Sequence, residues 1–382
     1  MKPRLCDRLL ALSGIAGLML YVLACRPSFS PDGTKVVFSV NEEESSRTSI
    51  VVYDIKEKAF ETLAQFSGEI EGDAGGRGAY APQWLSQGQQ VLINGKSMIM
   101  VLPAGGHGPV RTLMLRRTSD DGWVLPPPVV GDDQFLVSEE ENRDLSSPKK
   151  HVLRRVNLRT WEIRDFPLRF NCDLYGNGSE LLYAAEIEKE KKIEIGRLDT
   201  RNGVLSMLIQ FETNQDQEFA FIGPGHSRDR FALSAFFHGE SRIYIIRGNS
   251  VEKIIPVASK AGQTRIGNLE WSVDERSLYT NYTATPEQGG ETQFGVMEVR
   301  IDSGGVREMP LFNKTVNDDS RGAVLFYFPL ALSPDGGKIA VSTGNLGTDV
   351  TPPELALYLL NIATQEWKVT RVPVPLASAR PQ

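Results

Sequence analysis

Thiols are scarce in this chain of 382 residues, which has only Cys6, Cys25 and Cys172. Cys6 falls inside an N-terminal targeting segment and Cys25 directly after it, so one thiol is left for the folded part and no internal disulfide can form. Cys172, in FNCDLYG, reads as a small buried residue. Histidine is nearly as rare, and His107, His151, His226 and His238 are isolated from one another, with no H-E-x-x-H among them. There is no G-x-S-x-G and no phosphate loop, which removes the nucleophile elbow of a hydrolase domain. The acidic runs Glu42–Glu44 and Glu139–Glu141 have the ligand type for calcium but not the D-x-D-x-D-G spacing. No metal and no cofactor are therefore expected. Basic charge is also short: 42 Lys and Arg stand against 48 Asp and Glu, net −6, with none of the basic excess of a nucleic-acid binder. No segment shows the apolar stripe of an amphipathic helix, and the charged stretch Glu186–Lys192 reads as an extended hairpin loop.

Turns and short strands fill the space those absences leave. Near the start stands SFSPDGTKVVFSV (Ser28–Val40), and near the end ALSPDGGKIAVST (Ala331–Thr343). In each, an apolar strand enters Ser-Pro-Asp-Gly, turns and re-emerges as a second strand. Ser30 and Ser333 suit the first turn position and Pro31 and Pro334 pre-set φ for the second. Asp32 and Asp335 tolerate the third, and Gly33 and Gly336 supply the fourth. Weaker copies align at Trp84–Ile93, Val129–Ser138, Leu174–Ala184, Gly225–Ala235 and Glu270–Asn281. Each copy leads through a polar loop to a further apolar strand, such as SIVVYDI or RIYIIRG, and most close with a weaker fourth, such as FETLA or EKIIP. The repeat is thus four strands in about 50 residues, a propeller-blade period. The fold expected is all-β: a β-propeller over residues 28–375 with seven four-stranded blades, six or eight being the alternatives, and a C-terminal tail at 376–382.

The first 24 residues have a basic start (Lys2, Arg4, Arg8) before the apolar run Leu9–Leu23, too short for a comfortable span and suited to a signal peptide. The run ends Val22-Leu23-Ala24-Cys25. This resembles the lipobox of bacterial lipoproteins, with Val22 where leucine is usual. The resemblance implies acylation of Cys25 with lipid chains such as palmitate, cleavage before it, a tether at 25–27, and a membrane-anchored protein of the bacterial cell envelope.

The repeat itself resembles the WD40-like repeat of TolB-type periplasmic propellers, also found in the propeller domain of prolyl oligopeptidases. The likeness covers nearly the whole chain after the signal. Its repeat motif is structural and transfers no catalytic residue. In such blades the second-to-third loops and the connections to the next blade share one face, opposite the Ser-Pro-Asp-Gly turns. Here that face collects long acidic loops, with Glu42, Glu43, Glu44, Glu139, Glu140, Glu141, Asp318 and Asp319 as the candidate recognition residues. The expected function is a non-enzymatic, monomeric, lipid-anchored module binding a protein or glycan partner and no nucleic acid. The alternative is an envelope hydrolase or lyase on sugars or peptides, with a composite site at the central channel. Clustered His, Asp, Glu or Arg on the innermost strands favours the enzyme; apolar or small residues there favour the module.

Overall fold

The computed structural model describes residues 26–42, 47–67, 81–85, 87–95, 98–105, 109–114, 128–140, 150–176, 181–187, 191–212, 217–227, 229–237, 239–315, 330–342 and 356–373. It is all-β, with seven antiparallel sheets of four strands, each in chain order from first to fourth. Blade one holds β1 (Ser28–Phe29), β2 (Lys35–Glu42), β3 (Arg47–Asp54) and β4 (Ala59–Ser67). Blade two holds β5 (Ala81–Trp84), β6 (Gln90–Gly95), β7 (Met98–Pro103) and β8 (Arg111–Met114). Blade three holds β9 (Val129–Val130), β10 (Asp133–Glu140), β11 (Lys150–Asn157) and β12 (Ile163–Leu168). Blade four holds β13 (Asp173–Gly176), β14 (Leu181–Ile187), β15 (Lys192–Leu198) and β16 (Leu205–Glu212). Blade five holds β17 (Gln217–Pro224), β18 (Arg230–Phe237), β19 (Glu240–Arg247) and β20 (Ser250–Val257). Blade six holds β21 (Gln263–Trp271), β22 (Ser277–Thr285), β23 (Glu291–Arg300) and β24 (Val306–Thr315). Blade seven holds β25 (Leu330–Leu332), β26 (Lys338–Ser342), β27 (Ala356–Asn361) and β28 (Glu366–Arg371). Seven four-stranded blades make the fold class a β-propeller. Part of the stretch read as a charged loop is strand, since Glu186 and Ile187 end β14 and Lys192 opens β15.

The chain divides into two compact units, the first with blades one, two and seven, the second with blades three to six. Within each unit a middle strand packs on two neighbours, so its alternation divides apolar side chains between two cores rather than between core and water. In β2, Val36, Phe38 and Val40 join a cluster with Ala331, Ala340 and Leu357 of blade seven, while Val37 joins Trp84, Val91 and Ile93 of blade two. Fourth strands have one free side and alternate with exposed positions, as in β12, β16 and β28. The first strands of successive blades approach one another, as β1 does β5 and β25, and β17 does β13 and β21, which makes them the inner edge.

All four strands of blade one come from the beginning of the chain and all four of blade seven from its end, so these blades exchange no strand. They are joined by side chains instead: the shared cluster around Phe38 and Leu357, and the Lys368 Nζ that donates to the Tyr53 hydroxyl at 3.0 Å.

The Ser-Pro-Asp-Gly turns repeat one hydrogen-bond pattern. Ser30 Oγ donates to Asp32 Oδ1 at 2.6 Å and accepts from Lys35 N at 2.9 Å; Ser333 does the same with Asp335 and Lys338, at 2.6 and 2.8 Å. Ser272 repeats it with Asp274 and Ser277, at 2.7 and 2.9 Å. The fourth position requires the left-handed region, which Gly33 (φ 67°) and Gly336 (φ 69°) enter freely and Glu275 (φ 54°) fills in blade six. A Cβ on Gly33 would lie 3.7 Å from Pro334 Cδ, and one on Gly88 3.4 Å from Pro31 Cδ, so the turns of the first unit sit side by side on one face.

Candidate functional site

The two units differ at their inner edges. In the first unit the innermost strands carry Ser28 and Phe29, Ala81-Pro82-Gln83-Trp84, and Leu330-Ala331-Leu332, which are small or apolar apart from Gln83. In the second unit, blade three contributes Val129 and Val130, and the next three blades bring charge: Asp173 opens β13, Glu218 is second in β17, and Arg265 is third in β21. Register places Glu218 opposite Phe236 and Arg265 opposite Thr283, near where the second strand finishes, and Asp173 opposite Ala184, midway along β14.

Asp173 is held there by its neighbours. Cys172 and Leu174 are buried in a cluster with Phe135, Leu153, Leu181 and Tyr183, and alternation turns Asp173 to the other side. Its side chain reaches solvent, yet it is enclosed by protein and has no hydrogen bond or ion pair with the described residues. The surrounding protein desolvates the Asp173 carboxyl and pushes it up to about 6. Burial, then the Asp173 charge, pushes the Cys172 thiol up to about 12, which makes it a poor nucleophile. Burial first, then Asp173 and Cys172, hold the Tyr175 phenol well above its ordinary range. Of these three groups, Asp173 is the one that exchanges a proton near neutral pH. Arg265 lays its guanidinium over the Phe236 ring, 4.1 Å from the centroid, which fixes a cation on the innermost strand of blade six.

Behind Asp173, Tyr183 donates its hydroxyl to buried Glu194 and lies over Gly196, where a Cβ would be 2.5 Å from Tyr183 Cε1. Blade six repeats the device: Tyr282 donates to Gln293 at 2.8 Å and lies over Gly295, where a Cβ would be 2.7 Å from Tyr282 Cε1. Both glycines sit at a register shift in the third strand. Sequence reading missed this pair, whose signal is Glu-Ile-Gly and Gln-Phe-Gly at matching points of the repeat.

The anticipated recognition residues are placed only in part. Glu42 ends β2, in the first unit, and Glu139 and Glu140 end β10, in the second, all where the second strand passes to the third. Cys25, Glu43, Glu44, Glu141, Asp318 and Asp319 lie outside the described residues. Among the described residues no His, Cys, Asp and Glu side chains group as a metal site, and no helix is long and apolar enough to cross a membrane.

No protein family and no curated protein matches this sequence. Solved structures do match in fold. A puromycin-hydrolyzing peptidase from Mycobacterium tuberculosis is 13% identical with a TM-score of 0.58, the match covering 93% of this chain and 55% of that one, so this chain spans about half the peptidase. An oligogalacturonate lyase from Vibrio parahaemolyticus is 9% identical with a TM-score of 0.54 over 89% of both chains. The β-propeller domain of the Trilobed protease from Pyrococcus furiosus, whose topology is an open velcro, is 13% identical with a TM-score of 0.50, over 74% of this chain and 82% of that one. The expectation of a chain without enzymatic activity is overturned here, because the propellers it resembles include a peptidase and a lyase, the lyase over nearly its full length. At these identities the likeness shows the fold, a β-propeller.

Proposed function

We propose that the chain is an envelope enzyme, a hydrolase or lyase acting on sugars or peptides, with its site at the inner-strand entries of the second unit and Asp173 as general acid and base. The observation that carries this reading is the carboxyl of Asp173 on an inner strand, without a partner among the described residues and raised to about 6. A group titrating near the working pH both accepts and returns a proton efficiently, and perturbed carboxyls cluster at functional sites. As base, Asp173 takes a proton from the attacking water of a hydrolysis or from the carbon next to a carboxylate in an elimination. As acid, it returns that proton to the departing oxygen or nitrogen. Arg265 stabilises negative charge on the substrate. The peptidase and lyase among similar propellers support the two reaction types. The loop-bearing end then serves substrate recognition. The repeat is of the TolB and WD40-like type, and Cys25 carries the lipid that keeps the protein at the membrane of the cell envelope.

Screening purified protein against uronic-acid oligosaccharides, neutral glycans and peptide libraries tests the reading. Turnover should fall by a factor of about 100 or more in Asp173→Asn, as for loss of a general base. Turnover that survives Asp173→Asn would place the chemistry elsewhere.

A further inference from the structure

Five residues, Ala258–Gly262, carry the chain from β20, the outermost strand of blade five, to β21, the innermost strand of blade six. Only Gln263 and Thr264 then precede Arg265. This short connection is pinned by a carboxylate from the outermost strand of blade six: Glu308, in β24, accepts from Ser259 Oγ at 2.9 Å and from Lys260 N at 3.0 Å. Each carboxylate oxygen takes one of these bonds. Hydrogen bonds to an ionised acceptor are the stronger kind, so they define where the connection sits.

Ser259 passes that position on to β21. Its N donates to Thr264 Oγ1 at 2.7 Å, and Thr264 Oγ1 donates to the Gly262 carbonyl at 3.0 Å, which closes a tight turn. The turn has no slack: Gly262 holds φ 135°, and a Cβ there would lie 2.1 Å from the Thr285 carbonyl oxygen of β22. From blade five, buried Ser241 of β19 donates its Oγ to the Thr264 carbonyl at 2.8 Å. Ser241 is the cross-strand partner of Phe236, whose ring lies under the Arg265 guanidinium. Thr264 and Arg265 thus dock as a pair on Ser241 and Phe236, while Glu308 holds the approach to them.

We infer that Glu308 is a positioning residue for Arg265: through Ser259 and Thr264 it sets where the guanidinium meets Phe236 and, resting for its effect on turnover on the function just proposed, keeps that cation where substrate charge develops. A displacement of about 1 Å caused far from the chemistry costs up to about 100-fold in rate. An outer-strand carboxylate therefore governs a reaction it never touches.

NMR of protein labelled at arginine reads the placement directly, the Arg265 signal being assigned by its absence in Arg265→Lys. Stacked on Phe236, the Arg265 side-chain protons carry an upfield shift from the ring. Glu308→Ala should remove at least half of that shift, and Glu308→Gln, which keeps one acceptor oxygen, a smaller part. Ser259→Ala takes one donor from the carboxylate and should move the signal the same way, and it decides the matter if Glu308→Ala does not fold. Tyr53→Phe, in the first unit, controls for lost stability and should leave the signal in place. An unmoved Arg265 signal, or one that moves equally in Tyr53→Phe, makes Glu308 a structural residue only and overturns the inference. On the uronic-acid oligosaccharide, neutral glycan or peptide that turns over, Glu308→Ala should lower kcat about tenfold or more and add nothing to the loss in Arg265→Lys; additive losses would show that it acts by another route. Turnover that survives Asp173→Asn removes the catalytic reading and leaves the Arg265 shift to decide the positioning by itself.

Discussion

Lys368 Nζ donates to the Tyr53 hydroxyl at 3.0 Å, and the two residues are 315 positions apart, one on the fourth strand of the last blade and the other on the third strand of the first. Thr370 Oγ1 reaches the same hydroxyl at 3.4 Å. With no strand shared between these blades, this cluster of side chains does the joining. Tyr53→Phe removes the hydrogen bonds and keeps the ring, and should cost about 1 kcal/mol. Tyr53→Ala also empties a fully buried site and should cost about 3–5 kcal/mol. Urea denaturation separates the two, and equal losses would show that the ring contributes nothing to joining the blades.

Backbone strain at the turns should be readable by exchange of residues. Gly336→Val places a β-branched residue at φ 69° and should destabilise by about 1–2 kcal/mol. Glu275 already occupies the left-handed position in blade six, and its carboxylate accepts from Ser227 N and, at 2.7 Å, from Ser227 Oγ of blade five. Glu275→Gly relaxes the backbone but loses that link, so a net loss in thermal midpoint is expected. A gain would mean that the backbone term dominates.

Gly196→Ala is the sharpest packing test. A Cβ there would lie 2.3 Å from the Ser206 carbonyl oxygen and 2.5 Å from Tyr183 Cε1. Overpacking should cost about 1–3 kcal/mol. Tyr183→Leu in the same chain should recover only part of it, because the backbone oxygen stays. Full recovery in calorimetry would contradict the described approach of β16.

These three cases show what could be read without coordinates. The strong hairpins were legible because Ser, Pro, Asp and Gly each satisfy a separate local requirement of the turn, and repetition of that turn gave the blade and its period. The Tyr183–Gly196 contact was hidden, since a glycine in a strand does not reveal which ring lies over it. Asp173 was hidden for a different reason. Its chemistry comes from enclosure by residues distant in sequence, and in FNCDLYG it is one acidic residue among 48. Division of the inner strands into an apolar unit and a charged one likewise needed the strand register.

Stability should respond to pH in two opposite ways. Hydrogen bonds from Ser30, Ser272 and Ser333 hold Asp32, Asp274 and Asp335 below the usual carboxylate range. Their contribution is present above about pH 4, the ordinary carboxylate value, and is lost as pH falls through their lower folded-state values. Asp173 is raised, so the folded state holds its proton more tightly than the unfolded chain, and stability falls as pH rises from about 4 to 6. Asp173→Asn should therefore match the parent below pH 4, gain on it through that window and stay more stable at pH 7. A variant less stable than the parent at pH 7 would assign Asp173 a structural role.

The most direct measurement is the titration of the Asp173 carboxyl itself, followed by carbon NMR in protein labelled at aspartate and assigned by comparison with Asp173→Asn. A midpoint near 6 is the predicted result, set apart from turn aspartates that titrate below the ordinary range. A midpoint near 4, the value of an exposed aspartate, would show that the inner edge does not perturb it and would remove the basis for its role as acid and base.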